Sequence, residues 1–290
     1  MVVGVTAPSL AETGSPLPIA PWHNRREISI YRMGKKMAVT QPFRQKRRQA
    51  LIRAGKRITR LVDRFLASQS LLGDPPIFDT SDFPWVGLLE ERWEAIREEG
   101  ERLLQERELI PAFHQISPDQ KRISKGDAWK TFFLYGFGRR SETACRRCPE
   151  TAKILEQIPG MLTAWFSILA PGYHIPPHRG PTKSFLVCHL GLIVPKEREK
   201  CYLRVEDHIL HWEEGKCFIF DDTFEHEVRN ETDEYRVVLL LHVERPMRWP
   251  GKLAARFWLN LIKLSPYFKD GYRNMKRWEE RYEAALQNLK

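Results

Sequence analysis

Nine histidines lie along the 290 residues, and two of them stand where chemistry could be done. His178 follows Pro176-Pro177 and precedes Arg179-Gly180-Pro181, a turn-forming context. His226 ends the run Phe220-Asp221-Asp222-Thr223-Phe224-Glu225-His226, just beyond an apolar stretch. Imidazole is a natural ligand for Fe(II), and non-haem iron oxygenases need a facial ligand set that leaves positions open for a co-substrate and O2. If that co-substrate is the dianion 2-oxoglutarate, a fixed cation must stand nearby. A planar guanidinium gripping a carboxylate through two parallel hydrogen bonds suits the task. Arg236, on the apolar run after His226, is placed for it. Residue types alone leave the other reading open, because a lone histidine is ordinarily a surface or hydrogen-bonded core residue. Asp221 and Asp222 are alternative metal ligands, but as neighbours on a strand they would point to opposite faces. At most one would face a metal, and a turn or supporting duty suits them better. Cys145-Arg146-Arg147-Cys148 is a lone C-x-x-C; Cys188, Cys201 and Cys217 supply no second pair at zinc spacing, so it reads as structural.

The elements that would position these groups change character along the chain. From Leu162 to Val243 short apolar runs alternate with turns: Leu162–Leu169, Ser184–Val194, Cys201–Val205, Lys216–Phe220 and Tyr235–Val243. Strands at this spacing without intervening helices predict an antiparallel sandwich or barrel. Trp129 to Phe137 is β-branched and aromatic and predicts a further strand. Helical spacing is expected over Trp85–Arg107, Pro149–Ile158, Leu253–Leu264 and Tyr272–Leu289. No internal repeat is present. The expected organisation is a mobile tail over 1–40, a basic amphipathic helix within 41–75, a catalytic domain over 80–248 and C-terminal helices over 249–290.

Four motifs, in order and at matching spacing, resemble the aspartyl/asparaginyl β-hydroxylase family of Fe(II)- and 2-oxoglutarate-dependent oxygenases. They are Phe166 to Thr182 (FSILAPGYHIPPHRGPT), His189 to Pro195 (HLGLIVP), Trp212 to Lys216 (WEEGK) and Phe220 to Val228 (FDDTFEHEV), followed by Arg236. The resemblance covers about residues 80 to 250. It implies a mainly β fold with flanking helices, built on a double-stranded β-helix (jelly-roll) core. It implies His178 and His226 as iron ligands, Ser167 and Arg236 around the distal carboxylate of 2-oxoglutarate, and His189 near the other carboxylate. Gly180 stands where 2-oxoglutarate oxygenases usually place a carboxylate ligand. The family's two-histidine members are similar in lacking it, with water expected in its place.

This chain also departs from the pattern. Val187 stands where the family typically has an arginine, and Phe185 where the peptide hydroxylases carry a second one. An apolar wall in place of two guanidinium groups suits a hydrocarbon better than an aspartyl side chain. One branch of the family hydroxylates aspartyl or asparaginyl residues or amino-acid derivatives. Another, similar also in Glu244-Arg245-Pro246, hydroxylates lipid acyl chains. The sequence leans to a membrane-lipid or other hydrophobic substrate. The alternatives are the aspartyl/asparaginyl reaction and a non-catalytic binding module with a degenerate 2-oxoglutarate site.

Charge points the same way. The formal net charge is +10, which favours an acidic partner. Residues 43–66 combine nine cations with Leu51, Ala54, Ile58, Leu61, Val62 and Phe65 at helical spacing, a basic amphipathic helix. Residues 249–264 place Trp249, Phe257 and Trp258 among Lys252, Arg256 and Lys263. Either segment fits helix packing on the barrel or peripheral contact with an anionic membrane. Nucleic acid is disfavoured, since 43–66 almost lacks aromatic residues for stacking on bases. Five cysteines without a secretory leader, and no long apolar run, lead us to expect a cytoplasmic protein, peripheral at the membrane face.

Overall fold

A computed structural model describes residues 58–136 and 139–288. The expected tail over 1–40, and the part of the basic helix before residue 58, lie outside the described residues. Helix α1 covers 58–69. Two sheets face each other. The larger runs in the order β1 (Ile77–Phe78), β9 (Cys217–Phe220), β6 (Phe185–Ile193), β11 (Arg236–Glu244), β4 (Met161–Leu169), β2 (Trp129–Gly136) and β3 (Arg139–Arg140). The smaller runs β5 (His174–His178), β10 (His226–Asn230), β7 (Cys201–Val205) and β8 (His208–His211). Every ladder is antiparallel. From β4 to β11, successive strands fall alternately on the two sheets except at the β7–β8 hairpin. That is the double-stranded β-helix expected from the sequence.

The two sheets differ in what covers them. The outer face of the larger sheet is packed by helices. Gly100 of α3 (Trp93–Gln105) lets that helix approach so closely that a Cβ would touch Phe166 and Leu192 at 3.4 and 3.6 Å. Trp278 and Tyr282 of α8 (Pro266–Asn288) meet the ring of Phe132 edge-on at 5.4 and 5.6 Å. Buried on both faces, β4, β6 and β11 are therefore near-continuous apolar runs, which makes them easy to anticipate. On the smaller sheet the outer face is open, and β7 alternates buried and half-buried residues.

The remaining helices are α2 (Val86–Glu91), α4 (Phe113–Ile116), α5 (Glu142–Arg147), α6 (Pro149–Leu155) and α7 (Trp249–Lys263). The single helix expected over Trp85–Arg107 is broken at Arg92 into α2 and α3. Cys145 and Cys148 are free, buried thiols between β2 and the α5–α6 corner, with burial pushing Cys145 up to about 11. They are packing residues, as expected. Among the described residues no helix is long and apolar enough to cross a membrane.

Candidate active site

His178 and His226 come together at the mouth of the barrel. Strands β5 and β10 are neighbours, and their register sets the two histidines directly opposite each other. The ring centroids are 4.1 Å apart. In both rings Nδ1 meets the backbone carbonyl two residues earlier, Pro176 O at 2.9 Å and Phe224 O at 3.0 Å. A carbonyl only accepts, so Nδ1 carries the proton and Nε2 keeps its lone pair. Burial depresses the basicity of both; His226 falls to about 3, with His178 adding to the effect. The result is two neutral imidazoles with the same nitrogen available, a donor set that fits Fe(II).

Asp222 completes the polar mouth. The Gly180 N–H donates to Asp222 O at 2.6 Å, and a Cβ on Gly180 would overlap the Asp222 carboxylate. The slot that a side chain two residues after His178 would occupy is thus filled by a carboxylate from a distant part of the chain. That carboxylate is buried, and Oδ1 has no hydrogen-bond partner. Desolvation, with Asp221 adding to it, pushes its pKa well above the usual carboxylate range. A cation at the mouth would lower it again, but among the described residues Asp222 and the two histidines do not form a three-residue metal-holding group. Asp221 turns away: it accepts from Thr223 N and Oγ1, from Lys183 Nζ at 2.8 Å, and from Arg245. Only one of the two aspartates faces the cavity, as the sequence leads us to expect. Gly180→Ala should drive Asp222 from its slot, lowering stability by about 1–3 kcal/mol and depleting bound iron. Adding Asp222→Ala should restore the melting temperature but not the metal. Metal analysis beside thermal melting checks both, and a Gly180→Ala protein with full iron would contradict the assignment.

Deeper in the barrel, alternation along the larger sheet places Ser167, His189 and Arg236 on the inner face. Arg236 is 1% exposed and has no carboxylate within ion-pair distance among the described residues. Its guanidinium lies over Trp212 at 4.7 Å, with Nη1 3.5 Å from Ser167 Oγ. Nε has no partner, and desolvation lowers the pKa to about 10. A guanidinium held so is built to receive an anion, because an unpaired buried charge is otherwise strongly unfavourable. Ser167 Oγ is fixed by the indole N–H of Trp129 at 3.0 Å. His189 accepts from Trp212 Nε1 at 3.3 Å through Nδ1. Indole nitrogen only donates, so the imidazole proton sits on Nε2, which is buried and unpartnered. Burial, followed by the nearby charge of Arg236, holds this imidazole neutral. Two orphaned donors and a serine hydroxyl therefore converge where a dicarboxylate fits.

The same cavity, about 470 Å³, extends from these groups into an apolar arm. On β11 the inner face runs from Arg236 through Leu240 to His242, roughly 20 Å along the strand. Thr163 and Trp165 of β4, Phe185 and Val187 of β6, and Leu259 and Ile262 of α7 line the same cavity. His242 bonds Thr163 Oγ1 at 2.9 Å through Nδ1 and stacks on Phe185 at 4.4 Å. Val187 pairs with His242 and Phe220 in the sheet, so no guanidinium replaces the expected arginine there. The remaining cations lining the cavity are Arg179, tied to Thr223 O and Glu206, and Lys263. Sequence reasoning missed Trp129, His242 and the Gly180–Asp222 contact. His242 could have been found, since it is an even number of residues from Arg236 on one strand and so shares its face.

Residues 90–246 match the model of the aspartyl/asparaginyl beta-hydroxylase family. The chain is 44% identical over 216 residues to an ornithine lipid ester-linked acyl 2-hydroxylase of Rhizobium tropici, covering 74% of this chain and 77% of that protein. It is 38% identical over 172 residues to the aspartyl/asparaginyl beta-hydroxylase of Homo sapiens, covering 57% of this chain and 22% of that much longer protein. A Mus musculus aspartate beta-hydroxylase domain-containing protein 2 is 31% identical over 207 residues, 63% of this chain and 58% of its own. By its matched residues and these identities, the chain belongs to the aspartyl/asparaginyl β-hydroxylase family.

Proposed function

We propose that this protein is an Fe(II)- and 2-oxoglutarate-dependent hydroxylase that acts on an acyl chain of a membrane lipid. His178 and His226 hold the iron through Nε2, with Asp222 alongside. Arg236 and Ser167 bind the distal carboxylate of 2-oxoglutarate, and His189 donates Nε2–H to the other. The iron, with O2 and 2-oxoglutarate, supplies the oxidising power for an unactivated C–H bond as the co-substrate is decarboxylated to succinate. The protein's own part is positioning and exclusion. Carbonyls of Pro176 and Phe224 fix the imidazole tautomers, Trp129 orients Ser167, and the apolar walls keep water from the reacting centre.

The observation that carries the substrate class is the wall formed by Phe185 and Val187 beside Trp165 and Leu240. A hydrocarbon fills such a wall, whereas an aspartyl carboxylate would find no free guanidinium there and would lose its hydration. The 44% identity to a lipid acyl hydroxylase agrees with this. On this reading the protein works at an anionic membrane surface, using 43–66 and 249–264 as peripheral contacts. The test is O2-dependent succinate formation by anaerobically iron-loaded protein, with bacterial lipid extracts compared against aspartyl- and asparaginyl-containing peptides. Lipid-stimulated succinate with a lipid product one oxygen heavier is expected. Stimulation by peptides alone would move the chain to the aspartyl/asparaginyl branch. Iron and 2-oxoglutarate binding with no turnover on either would make it a binding module.

A further inference from the structure

Two helices outside the barrel expose more apolar surface than their packing uses. On α7, Trp249, Leu253, Phe257 and Leu261 recur every four residues and are 73%, 60%, 71% and 48% exposed. On α1, Ile58, Leu61 and Phe65 are 52%, 59% and 43% exposed. Helices that used these stripes against the barrel would bury them. The helices instead pack on each other by different faces: Leu66 and Val62 of α1 meet Ala254 and Ala255 of α7. Gly251 lies so close to Gln69 that a Cβ would overlap it, and Arg248 Nη1 donates to Ser68 O at 3.2 Å.

The inner side of α7 is apolar as well. Leu259 and Ile262 line the same cavity as His178 and His226. One helix therefore has an exposed apolar stripe on its outside and the cavity on its inside.

The charges around the stripes are almost all of one sign. Residues 58–69 and 248–264 contain Arg60, Arg64, Arg248, Lys252, Arg256 and Lys263 against a single carboxylate, Asp63. Asp63 is turned inward, accepting from Thr182 Oγ1 at 3.2 Å and Lys183 N at 3.0 Å. On α7 the row Lys252, Arg256 and Lys263 runs beside the apolar stripe. Large apolar and aromatic side chains bordered by cations are complementary to an anionic leaflet, with rings at the headgroup level and charges on phosphates.

We infer that the exposed faces of α1 and α7 seat in an anionic lipid leaflet, and that α7 is the partition along which the acyl chain passes from leaflet to active site. The inference rests on the lipid hydroxylase reading. It gives that reading a route that avoids water, where each exposed methylene would lower the population of the transferring chain about fourfold. It also gives the Asp63 contacts a purpose. They tie α1 to residues 182 and 183, just after Gly180, so the docking element and the metal-side loop form one packed unit.

The test is co-sedimentation of the full chain with vesicles of phosphatidylcholine, with and without phosphatidylglycerol. Binding to the anionic vesicles that weakens with salt is expected. Trp249→Ser combined with Phe257→Ser should lower the partition coefficient at least about tenfold. That variant should melt like the wild type and still hydroxylate lipid dispersed in detergent, while losing turnover of vesicle-embedded lipid. Equal vesicle binding by wild type and variant would overturn the docking surface. So would a dimer of the wild type, seen in analytical ultracentrifugation, that Trp249→Ser dissociates, because the stripes would then meet a second copy. Turnover of dispersed lipid by a protein that ignores vesicles would overturn the docking surface alone. Vesicle binding without turnover of any lipid would overturn the access route together with the hydroxylase reading.

Discussion

His178→Ala should yield a folded protein that forms succinate from 2-oxoglutarate at least about a thousandfold more slowly than the wild type, a loss of about 4 kcal/mol in transition-state stabilisation. The expectation follows from how few donors the site has. Among the described residues no group of three or more His, Cys, Asp or Glu side chains is arranged to hold a metal. On the proposed reading the centre depends on a cross-strand histidine pair with Asp222 alongside, and removing one imidazole leaves a single neutral nitrogen ligand. The fold should survive, because the imidazole bonds the Pro176 carbonyl at the strand's own end and its burial is unfavourable to its charged form. Three measurements separate the roles. Iron content should fall, the melting temperature of the metal-free protein should hold, and added imidazole should recover part of the turnover by entering the space left. His226→Ala should repeat the loss. Succinate formation within about tenfold of wild type in either variant would place the metal elsewhere.

Much of this is legible in the sequence, for a physical reason that also marks the limit. Strands β4, β6 and β11 lie between the cavity and a layer of helices, so their sequences are apolar on both faces and stand out. The residues proposed to bind the co-substrate, Ser167, His189 and Arg236, sit on those same strands. The proposed iron ligands do not. Strand β5 is His-Ile-Pro-Pro-His, an edge strand whose prolines read as a turn; an edge tolerates them because their missing N–H groups face no partner. Strand β10 is short and polar, and was not anticipated either. The two histidines thus stand out in the sequence by their turn contexts and gain their expected role from the resemblance, and the β5–β10 register explains why they meet. The sequence does not say which of Asp221 and Asp222 faces the cavity, because that depends on Asp222 lying against Gly180, a contact between distant segments. Amphipathic spacing in α1 and α7 predicts helices but cannot say which apolar face meets protein; burial resolves that for these two, leaving Trp249 and Phe257 outside.

Arg236→Met should separate binding from folding in an unusual way. A buried arginine is ordinarily kept by an ion pair, and breaking one destabilises by roughly 3–5 kcal/mol. Arg236 has no such pair among the described residues; its neighbours are Ser167 and the face of Trp212, and burial depresses its pKa to about 10. The ligand-free fold therefore bears the desolvation of a guanidinium that only a carboxylate from outside can offset. Methionine is close in length and apolar, so the ligand-free variant should melt at or above the wild-type temperature. The wild type should gain stability as 2-oxoglutarate is added, by RT ln(1 + [L]/Kd), and the variant should not. Losing two charge-assisted hydrogen bonds, about 3 kcal/mol together, should raise the KM for 2-oxoglutarate at least about a hundredfold. Arg236→Lys should fall between the two, because an ammonium neutralises charge but lacks the planar fork. An Arg236→Met protein that unfolds, or that still melts higher with 2-oxoglutarate, would assign Arg236 to the core instead of the co-substrate. A hot, ligand-blind variant would show that this barrel keeps a buried cation at the expense of its own stability in order to hold a dianion.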